Sequence, residues 1–235
     1  MPVPIAIGRG MVILLASYPR SGNTWFRILA NALFGIKTAD RYLPEGTLSE
    51  DKAKRSVELL AGQCPQSEVE AGHGVGFLKT HEMADEKDHR PAICLIRDGR
   101  DAYTSFAHLA MTSPGSPNID FPTQLRGLVE STDVFGGWSR NVESWLGRKA
   151  PTVFLRYEDM LANPEKCLRE TMAALGVEPP ATNHKPPEFA ELKKIMPDFF
   201  RKGRAGSWRD EMTPEIEDLF WVHHGATMIR LGYAR

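Results

Sequence analysis

The chain carries none of the usual marks of a secreted, membrane-embedded or metal-dependent protein. Three cysteines among 235 residues, Cys64, Cys94 and Cys167, are odd in number and scattered, with no C-x-x-C. That excludes a disulfide framework and reads as thiols of a reducing, cytoplasmic compartment, with Cys94 a core residue of a strand. No apolar run is long enough to span a bilayer. The run at 11–16 is short for a signal-peptide core, and "SYPRSG" follows where a small-residue cleavage site would lie. Net charge is also missing: 29 Lys and Arg stand against 30 Asp and Glu. A general nucleic-acid or membrane-surface binder is therefore not expected, and any basic patch must be local. No His, Cys or carboxylate set has metal-ligand spacing, and no G-x-S-x-G elbow supports a Ser/His/Asp hydrolase. The nucleotide-binding signature G-x-x-x-x-G-K-[ST] is absent too.

Apolar runs alternating with amphipathic stretches take the place of those features. "MVILLAS" (11–17), "GVGFLKTH" (74–81), "PAICLIRD" (91–98) and "TVFLRYED" (152–159) read as strands, the first suited to a buried parallel sheet. Helices are expected after the first strand with a stop near Gly35, and around 51–61, 101–111 and 135–148. Two more run from Pro164 to near Gly176 and from Pro214 to Leu231. The first helix places Trp25, Leu29, Ala32 and Leu33 near one face. "TSPGSPNIDFP" (112–122) reads as a surface loop and "VEPPATNHKPP" (177–187) as an extended linker. This is an α/β pattern. It predicts one domain over 1–235 with a central, mostly parallel sheet flanked by helices, and excursions at about 37–74 and 112–134.

Ligands of such folds bind beyond the carboxyl ends of the strands. There the sequence repeats basic and hydroxyl side chains: "YPRSGNTW" after the first strand, "KTH" after the second, "RDGRD" after the third. The first is a P-loop-like strand–loop–helix. Gly22 lets the backbone approach an anion, Ser21, Asn23 and Thr24 can donate hydrogen bonds, and the helix presents free N–H groups. Trp25 either stacks on a base, worth roughly 1–3 kcal/mol, or belongs to the core, and Ser21 either donates or merely caps the helix. Arg97 and Ser105 either clamp a phosphate or, with Asp98, Arg100 and Asp101, form a solvated surface network. On these residues alone the network is the favoured reading. His81 suits a general base for an alcohol or phenol, and Lys79 is a compact cation for a transferring oxyanion group. "RKGRAGSW" adds Arg201, Lys202 and Arg204 beside Gly203 and Gly206.

The order "YPRSGNTW", "KTH", "RDGRDAYTS", "FLRYEDMLANP", "FRKGRAGSW", with "FGGWSRNVESW" between, resembles the sulfotransferases that use 3′-phosphoadenosine 5′-phosphosulfate (PAPS). The likeness is to the cytosolic small-molecule type and extends over most of the chain. It implies that Arg20, Ser21, Gly22, Asn23 and Thr24 bind the 5′-phosphosulfate and that Trp25 packs on adenine. It places Lys79 at the sulfuryl group with His81 as base, and Arg97 and Ser105 on the 3′-phosphate. Tyr157 approaches adenine, and Arg201, Lys202 and Gly203 close on the 3′-phosphate. Catalytic roles fall to His81, Lys79 and Arg20, with no metal. The product nucleotide would be PAP and the acceptor a small-molecule hydroxyl or phenol, with no nucleic-acid or membrane partner.

The sequence departs from that pattern at defined points. Arg20 stands where the family usually has lysine, and arginine cannot release a proton at working pH. Asn23 replaces a threonine. Pro187 and Glu188 precede "FAELKK" where an adenine-contacting Thr or Ser is usual, and "RDEMTP" stands at the dimer signature K-x-x-x-T-V, which leaves the oligomeric state open. The C-terminal "HHGATMIRLGYAR" is loosely similar to bacterial members. Acceptor walls are expected from 37–74, 112–134 and Trp138, near Phe106 and His108. The alternatives are a P-loop-type small-molecule kinase and a nucleotide-binding relative without transferase activity.

Overall fold

The computed structural model describes residues 10–72, 74–113, 115–116, 118–178 and 184–235. Six strands, β1 (Met11–Ser17), β2 (Thr38–Asp40), β3 (Gln63–Cys64), β4 (Val75–Thr80), β5 (Ala92–Ile96) and β6 (Thr152–Arg156), form one sheet. Its order is β3-β2-β4-β1-β5-β6, and every pairing of named strands is parallel. Period-two alternation divides the sheet's side chains between two cores. Leu14, Ala16, Cys94 and Ile96 pack with Trp138 and Phe220 on one face. Ile13, Leu15, Ile93 and Leu95 pack with Phe26, Leu29 and Met172 on the other. Strands covered on both faces must be apolar almost throughout, as "VILLA" and "AICLI" are.

Ten helices cover these faces among the described residues. They are α1 (Asn23–Phe34), α2 (Lys52–Leu60), α3 (Gln66–Ala71), α4 (Gly99–Thr112), α5 (Phe121–Glu130), α6 (Gly137–Leu146), α7 (Tyr157–Ala162), α8 (Pro164–Ala174), α9 (Phe189–Ile195) and α10 (Pro214–Arg230). A 3₁₀ turn spans Ser207–Asp210. After α1 the chain builds β2, β3 and β4 on one side of β1, then crosses to lay β5 and β6 on the other. This reversal opens a crevice at the carboxyl ends of β1, β4 and β5.

Four expectations are corrected here. The fourth strand ends at Arg156, and Tyr157 opens α7, whose acidic first turn (Glu158, Asp159) favours a helix N-terminus. The 112–134 segment is not all loop, since Asp120 caps α5 by accepting the Thr123 N–H and Pro122 sits in its first turn. The 37–74 excursion holds β2, β3 and α3, each too short to show a period. Trp138 is fully buried against Phe220 and His224, so it serves the core and no acceptor wall. The linker read at 177–187 lies partly outside the described residues, as do Pro114 and Pro117 of the 112–122 loop. No described helix is long and apolar enough to cross a membrane.

Candidate active site

The loop after β1 is shaped by two left-handed residues, Arg20 (φ 65°) and Gly22 (φ 98°). At Gly22 a Cβ would fall 2.5 Å from the Tyr157 ring, so only glycine lets this loop and the α7 turn close on each other. Gly22 is the N-cap of α1 and gives no side-chain cap, so Ser21 does not cap the helix. The Ser21 hydroxyl is buried without a partner among the described residues. Asn23 instead turns its amide inward, donating to the Leu15 carbonyl and the Ser17 hydroxyl, both at 3.3 Å. Trp25 is half-buried at the edge of two cores, and its indole N–H has no partner among the described residues.

Arg20 is turned across the crevice. Its Nε donates to Ser105 Oγ at 2.9 Å and its Nη2 to the Phe199 carbonyl at 2.7 Å, with the guanidinium 4.1 Å over the Phe199 ring. The side chain thus bridges the first loop to Ser105 on α4. Burial, and then the neighbouring Arg97, push its pKa down to about 10, which leaves it charged at neutral pH.

At the end of β4, His81 Nδ1 lies 2.8 Å from the Ser17 carbonyl oxygen. A carbonyl only accepts, so Nδ1 carries the hydrogen and Nε2 keeps its lone pair. Burial, with Lys79 adding to it, pushes the His81 pKa down to about 4. The ring is therefore neutral at physiological pH. Its backbone is held from both sides: Tyr42 Oη accepts the N–H at 2.8 Å, and Asn141 Nδ2 donates to the carbonyl at 2.8 Å. The Tyr42 and Phe135 rings flank the imidazole with centroids 6.0 and 5.6 Å away. Lys79 is ion-paired with Asp40 at 2.7 Å.

The "RDGRD" turn is not a solvated network. Arg97, Asp98, Arg100 and Asp101 are all buried, Asp101 completely. Arg97 lies 4.4 Å over the Tyr157 ring and donates to the Arg20 carbonyl at 3.0 Å, while its Nε has no partner among the described residues. Arg100 is pinned by Asp98 at 2.8 Å and Glu217 at 3.2 Å beneath Trp208. Asp101 accepts the Gly206 and Trp208 N–H groups and the Ser207 hydroxyl at 2.7–2.9 Å, which ties the far end of the basic loop to α4. One such buried charged residue brought these bonds together because a carboxylate withdrawn from water needs several donors.

The basic loop itself is already paired. Arg201 grips both oxygens of Glu211 at 3.0 and 3.2 Å, and Lys202 lies 2.7 Å from both Asp210 and Glu211. Burial pushes the Glu211 carboxyl up, but hydrogen bonds from Arg201, Lys202 and His108 outweigh it and hold the pKa at about 2. Gly203 (φ 60°) lies against Phe189, whose ring a Cβ would meet at 2.4 Å. His108 also stacks on Phe121 at 4.3 Å, and Phe106 packs edge-on against Tyr18.

One cavity collects these elements. Arg20, Gly22, Asn23, Thr24, Trp25, Lys79, His81, Arg97, Ser105, Tyr157, Arg201, Lys202 and Gly203 all line it, and of the nucleotide and catalytic residues that the resemblance implies only Ser21 is missing from the wall. Phe189, Phe199 and Phe200 also line it, unannounced. "FF" directly before "RKG" could have hinted at the last two. Asp40, Tyr42 and Glu211 were also missed, since each acts through a partner distant in sequence. Among the described residues no group of three His, Cys, Asp or Glu could hold a metal.

Comparison with known proteins places the chain. The sulfotransferase domain family matches residues 12–232, so the chain belongs to that family. Human sulfotransferase 1E1 is 23% identical over 92% of this chain and 83% of its own length, and rat sulfotransferase 1A1 is 23% identical over 92% and 84%. The fold is similar to mouse sulfotransferase SULT7A1 complexed with PAP (TM-score 0.62, 20% identity, 97% of this chain and 90% of that one). It is also similar to retinol dehydratase in complex with retinol and PAP (TM-score 0.60, 19% identity, 97% and 82%).

Proposed function

We propose that the protein transfers the sulfuryl group of PAPS to a hydroxyl or phenol of a small-molecule acceptor, with His81 as general base. The observation that carries this is the bond from His81 Nδ1 to the Ser17 carbonyl, which leaves Nε2 unprotonated on a residue that lines the same cavity as Arg20, Lys79, Arg97, Arg201 and Lys202.

The cavity fits the nucleotide. Arg97 lines the cavity, and its Nε is a buried donor without a partner among the described residues, a costly state that an incoming phosphate oxygen relieves. Gly22 lines the cavity as the N-cap of α1, where the helix N–H groups favour an anion. Gly22, Asn23 and Thr24, which line the cavity at the start of α1, would hold the phosphosulfate, whereas Ser21 lies behind the wall. Arg97, Ser105, Arg201, Lys202 and Gly203 would hold the 3′-phosphate, and Trp25 and Tyr157 would meet the adenine. Two of the similar structures are complexes with PAP, which supports the same reading.

When bound, the nucleotide supplies the sulfuryl group and a phosphate leaving group. The acceptor oxygen has to approach in line with that leaving group. His81 takes the acceptor's proton at Nε2, and Ser17 steadies the imidazolium through Nδ1–H. Lys79 and Arg20 set fixed positive charge where negative charge gathers, the kind of preorganised electrostatics that lowers barriers most.

Calorimetric titration with PAP and with ATP, followed by a PAPS transfer assay over an acceptor panel, tests the proposal. Binding of PAP and sulfation of at least one hydroxyl acceptor are expected. ATP binding without PAP binding points instead to a kinase, and PAP binding without transfer to any acceptor points to a nucleotide-binding relative.

A further inference from the structure

Asp40 lies at the chemical end of the cavity although no motif marks it. It closes β2 and stands opposite Lys79 in the register of β2 against β4, so the two side chains leave the sheet on the same face. The carboxylate Oδ2 is 2.7 Å from Lys79 Nζ, with 9% and 16% of the two side chains left in contact with water. Its other oxygen accepts the Tyr42 N–H at 3.0 Å. Tyr42 then brings its phenol to the His81 N–H and lays its ring over the imidazole at an interplanar angle of 15°. The Lys79 ammonium sits 5.4 Å from the centre of that same ring. One carboxylate thus holds Lys79 directly and His81 through a single intervening residue.

We infer that Asp40 is a positioning residue for group transfer: it orients the Lys79 ammonium and fixes the Tyr42 turn that supports His81. The inference rests on the sulfuryl-transfer reading above. The need for such a residue is electrostatic. Burial pushes the Lys79 pKa down, and Arg27 on α1 and Lys54 on α2 push the same way, with Asp40 the opposing charge. His81, at the end of the same strand, and Tyr42 are neutral and add no counter-charge. Without the carboxylate, the groups acting on Lys79 among the described residues would be cations and neutral rings. The bond that fixes its ammonium would be lost as well.

Asp40→Asn keeps the size and an acceptor for the Tyr42 N–H but removes the charge. At saturating PAPS its kcat should fall by about tenfold to a hundredfold, as expected when a reacting group is displaced. PAP affinity by calorimetry should stay within about threefold. The alkaline limb of the kcat–pH profile should move to lower pH. The ¹³C resonance of Lys79 Cε, assigned through Lys79→Arg, should titrate at lower pH as well. Asp40→Glu should return part of the rate and restore the limb. A folded Asp40→Asn variant with a wild-type pH profile and an unmoved Lys79 titration overturns the inference. So does a loss of PAP affinity as large as the loss of kcat.

A wild-type protein that transfers nothing from PAPS strikes the transfer reading, while the Lys79 titration still decides whether Asp40 holds the ammonium. The wild type also offers a measurement that needs no variant. Its Lys79 Cε resonance should shift a second time when Asp40 is protonated, below the usual carboxylate range. A flat trace there overturns the inference even if Asp40→Asn does not fold.

Discussion

On the β4 side of the cavity, protein groups hold His81 and Lys79 in place while leaving the imidazole Nε2 free. On the side of the basic loop, Arg201 and Lys202 are already neutralised by Asp210 and Glu211. The first arrangement is preorganised, so a ligand finds its partners ready. The second is occupied, so a phosphate bound there, as proposed, would have to take the cations from the carboxylates that hold them. Changes on the first side should therefore alter rate at constant nucleotide affinity, and changes on the second should alter affinity at nearly constant rate.

The largest effect is expected from His81→Ala. Turnover should fall by about 10²–10⁴-fold, the usual contribution of a general base, while PAP affinity by calorimetry stays near wild type. Near-native turnover would remove His81 from the mechanism, and lost PAP binding would erase the contrast between the two sides. Arg97→Ala should weaken PAP by about tenfold to a hundredfold, since a charge-assisted bond contributes roughly 1.5–3 kcal/mol. Unchanged PAP affinity would count against the 3′-phosphate assignment.

The pH dependence sharpens the comparison. A base with its pKa lowered to about 4 stays competent down to acid, so kcat should be level through pH 6.5 and fall only towards pH 4. The same shift makes stability depend on pH. Between about 4 and the ordinary value of 6.5, the unfolded chain binds a proton at His81 that the folded chain refuses. Stability from this group is thus complete above pH 6.5 and lost as pH falls through that window. Thermal melts of wild type and His81→Ala across the window should converge as the pH drops.

Smaller changes are expected elsewhere. Glu211→Gln should tighten PAP by about threefold to tenfold, because one competing charge leaves the loop. Weaker binding would mean that Glu211 aligns the cations instead of withholding them. Arg20→Lys should leave kcat within about threefold. A complete loss would show that the bonds from the guanidinium to Ser105 and Phe199 have a role of their own.

Legibility from sequence followed the range of the interactions. The four longer strands and the glycine-bearing loop after β1 were readable because buried parallel strands and glycine-bearing turns are local patterns. The two- and three-residue strands β2 and β3 hold their place through the sheet, and β2 carries Asp40, so the partner of Lys79 stayed hidden. The "RDGRD" charges looked solvated because nothing local announces that Trp208, Glu217 and the 206–208 backbone come to cover them. The His81 tautomer depends on Ser17, sixty-four positions earlier. The residue types predicted a base, and only the fold fixes which nitrogen is bare.

Asp101 fastens the basic loop at Gly206, Ser207 and Trp208, one helical turn before Ser105 on α4. The far end of the loop is therefore clamped to the same helix that carries Ser105. Between that anchor and the ion pairs of Arg201 and Lys202 only residues 203–205 intervene, so the backbone beneath the two cations is tethered within three residues of α4's grip.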